Sequence, residues 1–219
     1  MSDARAAGEL AAGIARREIS PYLRAWDASA PDTWDEVRRP FAGAGLLDED
    51  LPPEAGVEVA LSLGRVGLRP ALAVLSIDPA SSQPDLKLAA ALAGAGDALV
   101  ECGIAYAQQR VVFGRPLSRF PVQRNLFAQA AAQVDAAIAL CRRAAEGADA
   151  LDVAAALPVA VDAAWRAADT ALQVHGGYGY TDEYDVSRMW REVVAVRASL
   201  PRTDLDSAVT SAAGSAVSG

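Results

Sequence analysis

Between residues 85 and 175 the chain holds three long stretches in which apolar residues recur at helical spacing. The first, 85–113, carries Leu86, Leu88, Leu92, Leu99, Ile104, Tyr106 and the pair Val111 and Val112, with Gly94, Gly96 and Gly103 as thin spots. The second, 122–147, carries Val122, Leu126, Ala130, Val134, Ala137, Ile138 and Cys141. The third, 151–175, carries Val161, Ala164, Trp165, Ala168 and Leu172, with Pro158 either kinking the run or restarting it. Residues three and four apart share one face of an α-helix, so each stretch predicts a helix with a buried stripe. A fourth helix is expected over 186–200, from Val186, Met189, Trp190, Val193, Val196 and Leu200, with Asp185 as its candidate N-cap. Four long helices joined by short loops pack as an antiparallel bundle, and the expected fold class is all-α.

Hydrophobic residues make up 52% of the chain but aromatics only 6%, so the excess is largely alanine, which favours helices over thick aromatic packing. A net charge of −8 and a pI near 4.7 argue against a general nucleic-acid binder, although a local arginine cluster can still hold phosphates. No apolar run is expected to span a membrane. Ser2-Asp3-Ala4-Arg5 lacks the layout of a secretory leader, so a cytoplasmic setting is expected. Cys102 and Cys141 lie inside helical patterns and read as buried free thiols rather than a disulfide or metal site.

The first 75 residues predict a shorter helical segment. A helix over 3–26 is stopped or kinked by Pro21. A turn follows, with Asp32 or Thr33 as N-cap and Thr33 and Glu36 at capping-box spacing, ahead of a short helix ending near Gly43 or Gly45. Residues 46–53 read as loop and 57–67 as a third helix. Residues 76–84 then lead directly into the first long helix, with no alternating β-branched segments between. From Pro201 the tail, 201–219, is small and polar and is expected to be disordered.

The densest chemistry lies at Gln173-Val-His-Gly-Gly-Tyr-Gly-Tyr-Thr-Asp-Glu-Tyr-Asp-Val-Ser-Arg-Met-Trp-Arg191, a glycine-built corner between two helices that contains the only histidine, His175. Glycine lets backbone approach a ligand, and free N–H groups at a helix entrance suit an anion. The same spacing also fits a C-cap glycine pair with a tight turn. Upstream, Tyr106-Ala-Gln-Gln-Arg110-Val-Val-Phe113-Gly114-Arg115-Pro116-Leu117 precedes Phe120, Val122 and Gln123. Together the two segments, in this order and on helical ground, resemble the acyl-CoA dehydrogenase family over residues 85–200.

The resemblance implies several things. The bundle would match that family's C-terminal helical domain, after a reduced N-terminal helical domain, and the β-domain that covers one face of the flavin would be missing at 76–84. Arg110 and Phe113 match contacts to flavin adenine dinucleotide (FAD), as do Gln173, Gly176 and Gly177, all offered across a subunit interface. Gln123 matches another, although Phe120-Pro121-Val122-Gln123 is one residue shorter than the family's phrase or has lost a glutamine to Pro121. Arg115 is a further phosphate candidate. Arg191 either reaches an acyl-CoA or, with Thr181 and Glu183, holds the last helix. His175 reads as structural.

The catalytic base departs from the pattern. Its usual place falls on Leu200, which cannot take a proton, and an alternate place falls on Pro84 beside Asp85, a poor substitute. Glu101 and Glu183 are the other nearby carboxylates. The resemblance thus implies a half-site subunit that lends FAD and acyl-CoA contacts to a longer partner in a homo- or hetero-oligomer, through the alanine-rich helices 122–147 and 151–175. Its alternatives are a stand-alone homodimer that binds an acyl or polyketide-like molecule without flavin chemistry, and a structural remnant.

Overall fold

The computed structural model describes residues 2–28, 31, 33–81, 85–147 and 149–200. The expected cap at Asp32, the alternate base place at Pro84 and the 201–219 tail lie outside them. Among the described residues the elements run α1 (Ser2–Glu18), α2 (Leu23–Ala28), α3 (Asp35–Gly43), α4 (Pro53–Val66), α5 (Leu68–Leu75), α6 (Leu86–Gln109), β1 (Val111–Val112), β2 (Arg115–Pro116), α7 (Pro121–Gly147), α8 (Ala150–His175) and α9 (Asp185–Ser199). The fold is all-α, and the one sheet among the described residues is the two-residue antiparallel pair β1–β2.

α6 is the axis of the molecule. It packs most extensively on α8, then on α4 and α7, and one continuous apolar core runs from Ala11 and Ile14 of α1 to Val193 and Val196 of α9. Asp85 starts the helix: its carboxylate accepts from Lys87 N at 2.7 Å and Leu88 N at 3.2 Å, satisfying two of the free donors of the first turn. The α4–α6 crossing depends on two glycines. A Cβ at Gly64 would overlap the Ala91 carbonyl oxygen, and one at Gly94 the Leu61 carbonyl oxygen. α6 is also long and apolar enough to cross a membrane by length and composition, which corrects the sequence expectation, but 67% of that stretch is buried against protein, as in a core helix.

Several boundaries differ from the expectations, each for a local reason. The 3–26 helix breaks after Glu18, because Pro21 cannot donate to the preceding turn, and a 3-10 turn over Ser20–Tyr22 joins α1 to α2. Thr33 Oγ1 accepts from Asp35 N at 3.1 Å, while the N-cap of α3 is Trp34, which provides no side-chain cap. α4 starts at Pro53, well before Val57, since proline suits the first helical position, where no N–H is needed. α5 was not expected. Its eight residues hide behind Gly67 and Pro70, yet Leu68, Ala71 and Val74 are buried at helical spacing.

α6 ends at Gln109 rather than 113, and the chain turns into the β1–β2 hairpin. Phe113 (φ 51) and Gly114 (φ 75) both take positive φ at its two-residue tip, as a type I′ turn requires. Pro158 neither ends nor restarts α8, which runs unbroken from an N-cap at Asp149, whose side chain accepts from Leu151 N. Asp185 is the first residue of α9, not its cap; that position belongs to Tyr184.

Candidate functional site

The C-terminal end of α6, the hairpin and the turn after α8 meet at one end of the bundle. A small apolar cluster of Ala107, Phe127 and Val174 closes it from below, and a Cβ at Gly103 would run into the Phe127 ring. Above this lies a cavity of about 490 Å3, lined among others by Tyr106, Arg110, His175, Gly176, Gly177 and Tyr178.

His175 forms the floor. It is 3% exposed and its ring stacks on Tyr106, with centroids 4.0 Å apart and planes at 25°, while Tyr184 meets it edge-on at 5.4 Å. Nδ1–H donates to the Ala171 carbonyl at 2.7 Å, fixing the tautomer. Burial pushes the imidazole pKa below its usual value, with the backbone hydrogen bond working against it. The ring is a neutral structural piece that locks the turn to α6.

Gly176 takes φ 58 and ψ −136, a conformation L-residues avoid, and its N–H closes back on the Gln173 carbonyl. That N–H is therefore not a free anion donor. The backbone runs on through a 3-10 turn over Gly176–Tyr180, and Thr181 Oγ1 donates to the Tyr178 carbonyl at 2.9 Å. Gly176 and Gly177 are exposed, and a Cβ on either would touch nothing, so a ligand can approach the backbone itself.

Arg110 caps α6 through its N–H to the Tyr106 carbonyl at 2.9 Å. Its guanidinium lies 5.8 Å from the Tyr178 ring centroid and pairs with no carboxylate among the described residues. Arg115 lies over the Phe120 ring at 4.1 Å. Phe113 is 93% exposed at the hairpin tip, and Tyr180 nearby in sequence is 69% exposed.

Of the residues singled out in the sequence, Arg110, His175, Gly176, Gly177 and Thr181 line this cavity, while Phe113 and Arg115 do not. Gln173 is exposed on α8 one turn earlier, Gln123 is half-buried in the first turn of α7, and neither lines it. Arg191 is elsewhere: it is ion-paired with Asp27 and bonded to the Ser187 hydroxyl, tying α9 to α2. Glu183 accepts Arg24 through its backbone carbonyl, and Glu101 pairs with Arg65 at 2.6 Å.

Asp85 is committed as the α6 cap, at the far end of a helix about 36 Å long from Arg110. Leu200 is 6% exposed and caps α9. The buried thiol of Cys141 has its pKa pushed up to about 12, while Cys102 is only half-buried; both are free.

Sequence reasoning missed Glu192. It accepts from Arg188 at 3.0 Å and from Leu68 N at 2.7 Å, and burial raises its pKa against the pull of Arg188. The i,i+4 spacing of Arg188 and Glu192 was visible, but their partner, the first N–H of α5, was not.

The profile described as "Acyl-CoA dehydrogenase, C-terminal domain" matches residues 86–199. The chain is 36% identical over 114 residues to a glutaryl-CoA dehydrogenase of Desulfococcus multivorans, covering 48% of this chain and 29% of that protein. It is 35% identical over 135 residues to a short-chain-specific acyl-CoA dehydrogenase of Megasphaera elsdenii, covering 59% and 34%. The chain thus spans about a third of the length of the curated relatives it matches. Among solved structures, the butyryl-CoA dehydrogenase of Megasphaera elsdenii superposes with a TM-score of 0.54 at 26% identity, over 73% of this chain and 38% of that one. A glutaryl-CoA dehydrogenase in complex with glutaryl-CoA superposes with a TM-score of 0.77 over 90% and 91%, at 15% identity, a likeness of fold alone. With its bundle matched from α6 to α9, the chain belongs to the acyl-CoA dehydrogenase family.

Proposed function

We propose that this chain supplies the nucleotide-binding half of a flavin site to an acyl-CoA dehydrogenase-type assembly, and that it does not dehydrogenate acyl thioesters by itself. The observation that carries this is the cavity at the hairpin end, where Arg110, uncompensated by any described carboxylate, faces the bare backbone of Gly176 and Gly177. These residues fit the diphosphate and adenosine part of FAD: a fork-shaped cation for phosphate and backbone no side chain screens. Phe113, held out at the hairpin tip, offers a ring face to a base or a partner. Gln123 and Gln173 lie outside the cavity and would add hydrogen bonds only to parts of the cofactor that extend beyond it. When bound, FAD supplies the hydride acceptor of the family's reaction.

The outer faces of α7 and α8 are the natural subunit contact, with a second copy or a longer homologous subunit. In this reading residues 1–75 are a reduced N-terminal helical domain, 76–84 a linker in place of the β-domain, and 85–200 the bundle. Leu200 is apolar and has no proton-accepting atom, and Asp85 is spent on its helix cap. A missing general base alone costs roughly 10²–10⁴ in rate.

The test is an FAD titration followed by fluorescence, with the chain alone and with a longer acyl-CoA dehydrogenase subunit, and an assay of flavin bleaching by butyryl-CoA and octanoyl-CoA. FAD retention by the pair, weakened about tenfold by Arg110→Ala with the helical signal unchanged, is the expected outcome. Turnover by the isolated chain, abolished by Asp85→Asn, overturns the proposal. The competing reading, a stand-alone binder of an acyl-like molecule, is favoured by a second cavity, between α5 and α9, that shares no lining residue with the first.

A further inference from the structure

The two ring nitrogens of His175 stand in different situations. Nδ1–H is committed to the Ala171 carbonyl at 2.7 Å. Nε2 has no hydrogen-bond partner among the described residues. It is also not one of the unpartnered side-chain nitrogens sealed away from solvent, which are Arg188 Nε and Trp190 Nε1. The residue is 3% exposed and lines the hairpin-end cavity, so this nitrogen opens into that cavity, as does Arg110. Locking the turn to α6 needs only Nδ1 and the ring stack, and leaves Nε2 without a task. The titratable groups around the ring are Tyr106 and Arg110 on α6, Tyr178 on the turn and Tyr184 ahead of α9. No carboxylate lines the cavity. Asp182 and Asp185, in the next stretch of chain, lie against Arg191 and Arg24, and Glu183 is exposed outside the cavity.

We infer that His175 is a proton-gated contact of this cavity: capture of the diphosphate of a dinucleotide puts a proton on Nε2, and the imidazolium and Arg110 then hold the anion together. With Nδ1 carrying the proton, Nε2 of the neutral ring is an acceptor and turns a lone pair towards an anion on Arg110. A proton at Nε2 makes it a second donor. It leaves the bond to Ala171 in place, because Nδ1 is an N–H in both states. The Tyr106 ring, stacked 4.0 Å away, offers its π face to the new charge. In the free chain burial keeps the ring neutral, with no carboxylate in the cavity to oppose it. An anionic ligand supplies the missing opposite charge, so binding and protonation favour each other. Affinity for the anion rises as pH falls from the higher pKa of the bound state to the lower one of the free state, and levels off below that. The inference rests on the flavin reading for the identity of the anion and adds how this chain regulates its capture.

The test uses the full chain and ADP-ribose, a diphosphate diester that does not titrate near neutrality, with sulfate as a simple oxyanion. The chain has a single histidine, so its imidazole gives one resolved NMR signal whose titration can be followed free and at saturating ligand. ADP-ribose should move that titration to higher pH. Its affinity, read by calorimetry from pH 8 to pH 5.5, should rise about tenfold as pH falls. At intermediate pH the binding heat should depend on the ionisation enthalpy of the buffer, with the sign of proton uptake. His175→Gln should remove the pH dependence, and the wild-type NMR titration decides the matter should that variant fail to fold. An imidazole titration that stays in place or moves to lower pH on binding, affinity flat with pH, or no saturable binding of ADP-ribose overturns the inference. Sulfate binding as tightly as ADP-ribose overturns the assignment to a diphosphate. Arg110→Ala should weaken ADP-ribose at every pH. ADP-ribose binding that ignores Arg110 counts against the flavin reading, whereas Arg110-dependent binding without proton uptake counts against the gate alone.

Discussion

Glycine does opposite work in two regions of this molecule. At the α4–α6 crossing, Gly64 and Gly94 sit where no Cβ fits, each against the other helix's backbone, and the two helices close to contact. At the hairpin and the turn after α8, Gly114, Gly176 and Gly177 have open space around them, and at Gly114 and Gly176 the requirement is a positive φ. The first pair is there for packing, the second group for backbone shape beside a cavity. The packed half also holds the buried Arg188–Glu192 pair, while the open half holds Phe113, Tyr178 and Tyr180 in solvent. The backbone-to-backbone crossing and the buried ion pair thus lie together, apart from the exposed rings of the hairpin end.

The largest expected effect lies in the packed half. Glu192→Ala strands a buried guanidinium and the first N–H of α5, and should cost about 3–5 kcal/mol in urea unfolding. A loss below about 1 kcal/mol would show that α5 is not anchored there. Gly64→Ala comes next, at about 1–3 kcal/mol, because the Ala91 backbone must move to admit a methyl. In the open half Gly176→Ala meets no atoms and should cost only its backbone strain, about 1–2 kcal/mol. Should it exceed Gly64→Ala, the contrast between packing and conformation is lost.

His175 sharpens the comparison through pH. Its folded pKa lies below the unfolded 6.5, so its contribution is fully present above 6.5 and is lost as pH falls through the folded value. His175→Gln should flatten the stability profile there, whereas Glu192→Ala should leave that limb in place. The smallest effect has the opposite sign. Phe113→Asn relieves a bulky residue at positive φ and should stabilise the isolated chain by about 0.5 kcal/mol while weakening FAD retention. A destabilised variant would mean that the ring packs on the chain itself.

The long helices were legible because alanine-rich periodicity over more than twenty residues has one reading, and Pro121 and Asp149 mark starts that propensity alone would blur. α5 was not legible: eight residues between Gly67 and Ser76 carry too few periods to stand out, and tertiary contact to Glu192 defines its start. The hairpin was read as helix because Val111 and Val112 continue the apolar pattern, while its type I′ tip is carried by a phenylalanine in place of the usual Asn. At the site, Arg110 and the glycines were legible as words of a motif. The sequence could not say that the Gly176 N–H is spent on Gln173, nor that Arg191 is drawn away to Asp27. Both depend on the path of the folded chain rather than on local composition.

The apolar run of α6 bears on how the chain is made. It leaves the ribosome as a stretch long and greasy enough for a bilayer, and its main partner, α8, is synthesised some forty residues later. Over that interval the exposed surface is open to aggregation or to capture by the insertion machinery. α4 is already available. Because Gly64 and Gly94 let it lie directly on the α6 backbone, it can shield one side of the new helix before α7 and α8 arrive. The order of helices along the chain places this protecting partner first.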